Sequence, residues 1–122
     1  MAKLFGPDFI ALQVRDLEVS ARFYEEKLGL VRTRGGPPNA IVFETKPIPF
    51  ALRAPVVDLD ATSKLGWGMV LWMACDNPDE LHEDLVKAAV EIVAPPADGP
   101  FGRFFSFVDP DGYRVTAHSA RQ

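Results

Sequence analysis

The same order of signals runs through this chain twice, and that repetition limits its possible folds more than any other feature. Val14-Arg15-Asp16 closes an alternating apolar run and opens a helical pattern, and Ala74-Cys75-Asp76 does the same. Gly29 and Ala89 each stand thirteen residues after their Asp, and each is followed by a short apolar strand pattern. Each half then passes through a Pro/Gly-rich stretch into two more strand-like runs. Identities between the halves are few, so the repeat rests on the order of elements. Two related halves can pack about a pseudo-twofold axis and leave a shared cavity, whose lining then becomes the functional question.

Local chemistry fills in the elements. Residues 9–14 alternate as a strand bounded by Pro7-Asp8 and Asp16. Asp16 is a plausible N-cap, and Leu17, Ala21, Tyr24 and Leu28 recur at helical spacing. Gly29 ends that helix, because the position past a C-cap favours a residue tolerant of positive φ. Leu30 to Thr33, Ala40 to Phe43 and Phe50 to Ala54 read as strands. Residues 55–65 form a polar linker without strong periodicity. Gly68 to Ala74 is the next strand. Asn77-Pro78-Asp79-Glu80 is a strong helix start, with a capping side chain, Pro at N1 and Glu at N3. Leu81, Leu85 and Ala88 give its buried stripe. Glu91 to Val93 reads as a short strand ended by Pro95-Pro96. Phe104 to Val108 and Tyr113 to Ala117 flank the turn Asp109-Pro110-Asp111-Gly112. The sum is βαβββ, a linker, and βαβββ: module 1 at about 8–54 and module 2 at about 66–118, in one domain spanning 1–122.

Composition excludes several function classes. With 122 residues and 48% apolar content, the chain can bury a real core. A net charge of −4, with both signs interspersed, argues against nucleic acid as a partner, since phosphate binding wants a concentrated basic face. Cys75 is the only cysteine, so no intramolecular disulfide forms and a reducing cytoplasm is the expected location. The first residues carry no apolar segment with a cleavage site, so no signal peptide is expected. No run is long enough to cross a bilayer, so no membrane role is expected.

The segments Leu12-Gln13-Val14-Arg15-Asp16-Leu17-Glu18, Phe23-Tyr24, Leu28-Gly29-Leu30 and Phe107-Val108-Asp109-Pro110-Asp111-Gly112-Tyr113, in that order, resemble the vicinal oxygen chelate superfamily. That superfamily includes glyoxalase I, extradiol dioxygenases, fosfomycin-resistance enzymes and bleomycin-resistance proteins. The resemblance implies an α+β fold of two βαβββ modules forming an open cup-shaped sheet with the helices outside. It also marks metal positions. Metal-dependent members often carry a His seven residues before the Asp that opens the first helix, which is Phe9 here, and the equivalent before Asp76 is Met69. The acidic ligand of the last strand, four residues past the turn glycine, falls on Thr116, and its first-module counterpart falls on Ala51. None of these side chains supplies an anionic oxygen or an imidazole. The resemblance therefore implies a metal-free cup of the bleomycin-resistance type, with no cofactor, that sequesters a small molecule such as an antibiotic or a metabolite, as a homodimer. The alternative is a lyase, isomerase or dioxygenase of the same superfamily with atypical site residues.

Strand alternation assigns candidate ligand-binding residues. If position 9 faces the cup, so do Ala11 and Gln13, with Ile10, Leu12 and Val14 under the helix. By the repeat, Met69, Leu71 and Met73 also face it, as do Ala51 and Arg53, and Arg114, Thr116 and His118. Trp72 falls on the opposite parity, as core. Trp67 is placed to stack a planar ligand at the rim, and Arg103 to pair with a ligand anion or to lie over the aromatic cluster. Parity alone leaves open which pair, Phe104 and Ser106 or Phe105 and Phe107, faces the cup. Glu44 is the acid–base candidate outside the metal positions, with no partner by spacing. His82 reads as an exposed helix residue, and Cys75 as a small half-buried one.

Overall fold

The computed structural model describes residues 2–119, and the chain divides into two compact units between Leu59 and Asp60. The first unit contains strand β1 (Ile10–Gln13), helix α1 (Leu17–Arg22), which continues as a π-helical turn over Phe23–Lys27, and strands β2 (Ala40–Phe43) and β3 (Phe50–Arg53). The second contains β4 (Leu71–Cys75), α2 (Pro78–Lys87), β5 (Ile92–Gly99), β6 (Gly102–Val108) and β7 (Arg114–Ser119). Among the described residues no helix is long and apolar enough to cross a membrane.

Each unit makes its own sheet with the same plan. The first strand lies parallel to the last, and the last lies antiparallel to the one before it: β1-β3-β2 in the first unit and β4-β7-β6-β5 in the second. In place of a fourth strand the first unit has a single bridge, Arg32 opposite Phe43, flanked by bonds from Thr33 N–H to Val42 O at 2.8 Å and from Glu44 N–H to Val31 O at 2.8 Å. The strand expected over Leu30 to Thr33 is thus reduced to one bridge, because Gly35, Gly36, Pro37 and Pro38 leave no run long enough to continue it. The second unit corrects the sequence in the other direction. β5 runs through Pro95 and Pro96, with register shifts on either side of Ala94. It is an edge strand, where a missing N–H costs no ladder bond.

One face of each sheet is packed by its helix. In the first unit Tyr24 lies on Phe43 and Phe50, with ring centroids 6.2 and 5.2 Å away, and Leu12, Ile41 and Leu52 are buried on the same side. In the second unit Phe105 and Phe107 are buried side by side, and His82 of α2 meets Phe105 edge-on at 5.3 Å. His82 is therefore half-buried against the sheet and not on the exposed side of its helix, as its neighbours Leu81 and Glu83 had suggested.

The caps explain both the repeat and its defect. Asp16 caps α1, accepting from Val19 N–H at 3.0 Å, but α2 is capped by Asn77, accepting from Glu80 N–H at 3.1 Å. The helix starts are therefore 61 positions apart (16 to 77), while the ends at Gly29 and Ala89 are 60 apart. The extra residue of the first helix is taken up by the π turn, which inserts one residue without breaking the helix. Ahead of the helices the repeat must therefore be read with an offset of 61, so Phe9 corresponds to Val70 and Ala11 to Trp72.

Candidate functional site

That one-residue difference inverts the faces of β4, because a strand's side chains alternate with period two. The register is unambiguous: Leu71 lies opposite Val115, Trp72 opposite Thr116 and Met73 opposite Ala117, while Phe107 and Phe105 face Val115 and Ala117 from β6. Leu71 and Met73 thus share the α2-facing side with Phe105 and Phe107, and the assignment of these two residues to the open face is corrected. Met69 precedes β4 in an exposed loop, where its N–H donates to Gly66 O at 2.9 Å. Trp72, read from the sequence as core, stands on the side away from α2 and is 48% exposed.

The helix-free face of the second sheet gathers the polar and aromatic groups. Ser106 and Thr116 are buried side by side, their hydroxyls 2.7 Å apart. Phe104 and His118 are cross-strand partners in the next row. Trp72 lies at the centre of a ring cluster: His118 at 5.8 Å, Phe104 at 5.7 Å, and Phe101, from the turn between β5 and β6, edge-on at 5.9 Å. The pair that strand alternation left open is resolved: Phe104 and Ser106 face this side. His118 Nδ1 is 3.0 Å from Ser119 O. A carbonyl can only accept, so in the neutral ring Nδ1 carries the proton and Nε2 presents its lone pair. Arg114 is exposed on the same face, two positions along β7 from Thr116.

The other candidates lie elsewhere. Arg103 points to the α2 side, where Asp79 takes its Nε at 3.2 Å and its Nη2 at 3.1 Å, and Asp98 is 3.4 Å from Nη1. These carboxylates hold the guanidinium above its ordinary pKa, Asp79 most strongly, and occupy the donors that a ligand anion would need. Trp67 is 83% exposed in the loop before β4, with Lys64 Nζ 5.7 Å above its ring. In the first unit Ala11, Gln13, Ala51 and Arg53 do share the helix-free face, as alternation predicts. Ala51 is buried at its centre, while the side-chain oxygen of Gln13 accepts from Val56 N–H at 2.9 Å and so ties down the following loop. Phe9 lies just ahead of β1 and is half-exposed. Glu44 is exposed just past β2. Burial, reinforced by the charge of Asp76, raises the Cys75 thiol pKa and keeps it protonated and unreactive at neutral pH.

The donor set can now be tested at the positions where the resemblance puts metal ligands. With the corrected register these are Phe9, Ala51, Val70 and Thr116. Three are hydrocarbon, and the one hydroxyl is already hydrogen-bonded to Ser106. Among the described residues no three His, Cys, Asp or Glu side chains come together to hold an ion. None of these four side chains offers a divalent metal a ligand.

The sequence reading missed Trp72 and Phe101 on this face and left Phe104 and Ser106 undecided. The signal that could have found Trp72 was its neighbour in the sheet. Thr116 had already been placed on the open face, and whichever β4 residue lies opposite it must share that face.

Two units, each a helix packed on a sheet whose first and last strands are parallel, repeat one βαβββ plan, with one strand of the first unit reduced to a single bridge. The chain belongs to the glyoxalase/bleomycin resistance protein/dioxygenase superfamily, whose family model matches residues 6–116. No protein of curated function matches it. Among solved structures it is similar to a glyoxalase-related enzyme from Fulvimarina pelagi, 26% identical over 96% of this chain and 89% of that one, with a TM-score of 0.74. It is also similar to a glyoxylase/bleomycin resistance protein/dioxygenase domain from Frankia sp. EAN1pec, 26% identical over 98% of this chain and 100% of that one, with a TM-score of 0.72. A lactoylglutathione lyase from Agrobacterium tumefaciens shares the fold at 17% identity, covering 98% of this chain and 96% of that one, with a TM-score of 0.70.

Proposed function

We propose that this protein binds and sequesters a small organic molecule without a metal, in the manner of the bleomycin-resistance branch of its superfamily, and that it works as a homodimer in the cytoplasm. The observation that carries the reading is the donor set. Chemistry that chelates vicinal oxygens needs a Lewis acid, and Phe9, Ala51, Val70 and a hydrogen-bonded Thr116 offer it no ligands. What stands on the helix-free face of the second sheet is a ring cluster around a half-exposed Trp72, and aromatic side chains with a few polar groups are the usual lining of a small-molecule site.

The reading is tested by thermal shift against a broad panel of antibiotics and aromatic metabolites, with zinc, nickel, manganese and ferrous iron added separately. A ligand that binds only the native state raises the melting temperature by mass action, by about 2.7 kcal/mol of stability at a hundred times its dissociation constant. The expected result is a shift with at least one organic compound and none with the metals. A panel without a single hit would refute sequestration, and stoichiometric retention of a metal through purification would refute the metal-free reading. Sedimentation equilibrium showing only monomer across the micromolar range would remove the dimer.

A further inference from the structure

Resting on the binding role just stated, we propose that the ligand is a planar aromatic anion, stacked on the exposed ring of Trp72 and paired with Arg114. The planarity follows from the cluster. Trp72 is held in place by Phe101, Phe104 and His118, with ring centroids 5.7 to 5.9 Å away, yet 48% of it remains exposed. Phe101 is 55% exposed beside it. A large ring fixed on one side and open on the other loses little rotamer freedom when a second ring stacks on it, and a π-face accepts any flat partner.

The sign of the charge follows from what else shares this face. Along β4, β6 and β7 the side away from α2 carries Trp72 and Ala74, then Phe104, Ser106 and Val108, then Arg114, Thr116 and His118. Arg114 is the one Arg, Lys, Asp or Glu side chain among these. Among the described residues it makes no ion pair, unlike Arg103 on the opposite face, whose guanidinium is taken by Asp79 and Asp98. It stands two residues from Thr116, which is opposite Trp72, so the rise of a strand puts its Cα roughly 7 Å from that row. An arginine side chain reaches a carboxylate on a two-ring ligand across that span, and its planar fork suits a carboxylate. His118 borders the ring cluster, and when its ring is neutral with Nδ1 donating to Ser119 O, Nε2 accepts a ligand N–H or O–H on that side.

The test measures binding of 2-naphthoate and of neutral 2-naphthylmethanol by isothermal titration calorimetry, to the wild type, Trp72→Leu, Trp72→Phe and Arg114→Gln. Circular dichroism and melting temperature confirm that each variant is folded. The expected result is that 2-naphthoate binds and weakens at least tenfold in Trp72→Leu but less than threefold in Trp72→Phe, which keeps a stacking ring. Arg114→Gln should weaken 2-naphthoate about fivefold and leave the alcohol unchanged. Naphthoate binding equally well to Trp72→Leu would overturn the platform, as would a failure of naphthoate to bind when other members of the compound panel do. Equal losses of acid and alcohol in Arg114→Gln would overturn the charge assignment. Loss of dimer in Trp72→Leu without loss of naphthoate binding would give this face to a second copy of the chain and overturn the proposal. A panel with no binder at all refutes the sequestration role itself, so the two failures are distinguishable.

Discussion

Ala89 ends α2 in a conformation that an L-residue rarely adopts, and relieving it should stabilise the protein measurably. Its φ is +61°, and it sits in a complete C-terminal cap: Val90 N–H donates to Leu85 O at 3.0 Å and Ala89 N–H to Val86 O at 3.1 Å. The left-handed conformation costs an L-residue about 1–2 kcal/mol through the clash of Cβ with the carbonyl that follows. Glycine avoids that clash but gains roughly 0.5–1 kcal/mol of chain entropy in the unfolded state, which offsets part of the benefit. The net for Ala89→Gly is a stabilisation of about 0.5–1 kcal/mol. The first unit supplies the reverse experiment. Gly29 occupies the same place with φ +76°, and a Cβ built on it would meet nothing within 4 Å, so Gly29→Ala tests conformation without steric overlap. It should destabilise by about 0.5–1 kcal/mol. Urea denaturation reads both, with unchanged m-values and midpoints moving in opposite directions. If Ala89→Gly destabilises while Gly29→Ala is neutral, the two caps are not equivalent and the structural repeat fails at its most testable point.

Further substitutions probe other features. Ser20 is fully buried in α1 and its hydroxyl has no hydrogen-bond partner among the described residues, so Ser20→Ala should raise stability by about 1 kcal/mol in the same assay, by removing an unsatisfied group and improving helix propensity. Thr116→Val strands the buried Ser106 hydroxyl and should cost about 1–3 kcal/mol, whereas Ser106→Ala with Thr116→Val should be nearly neutral, a non-additivity that a double-mutant cycle reads directly. Arg32 binds Glu25 through two bonds of 2.8 and 3.0 Å, and that hydrogen bonding holds the Glu25 pKa below the ordinary carboxylate value. A depressed carboxylate contributes stability above its unfolded pKa and loses it as pH falls through the folded one. The small stability gap between wild type and Glu25→Gln should therefore be constant at neutral pH and close below the usual carboxylate range, as read from denaturation midpoints across pH.

What could be read from the sequence was whatever is set locally or by composition. Asp16 and Asn77 cap as their side chains predict, and Gly29 ends its helix with positive φ. The helix-facing stripe of β1 is Leu12 with Ile10, as alternation requires. The helix-facing side of β4 was misread because a repeat anchored on Asp16 and Asp76 assumes two helices of equal length. The π turn over Phe23–Lys27 adds a residue to one of them, and no side chain announces it. The error could not stay small, since an odd shift in a strand exchanges its two faces entirely. The prolines of β5 misled for a related reason. Pro95-Pro96 forbids an interior strand, but a sequence does not show which strand lies at an edge.

The division of each sheet into a face packed by its helix and a helix-free face makes stability and binding separable in the second unit. Phe105 is fully buried on the α2-facing side of the sheet, in contact with Phe107 and His82. Truncating it to Ala removes a ring from a closed core and should cost about 3–5 kcal/mol. Trp72 is the larger side chain, yet nearly half of it already meets solvent, and its neighbours on the open face are a few ring contacts instead of a closed shell. The unfolded chain gains less from exposing it, so Trp72→Ala should cost only about 1–2 kcal/mol by area burial with its aromatic contacts. Ranked by side-chain size alone the order would be the reverse, and the same holds for the parity read from the repeat, which makes Trp72 core. Thermal and urea denaturation of the two variants side by side therefore decides the register of β4 without any ligand. If Trp72→Ala is as damaging as Phe105→Ala, then Trp72 is a core residue, the open aromatic face does not exist, and the binding surface argued from it goes with it.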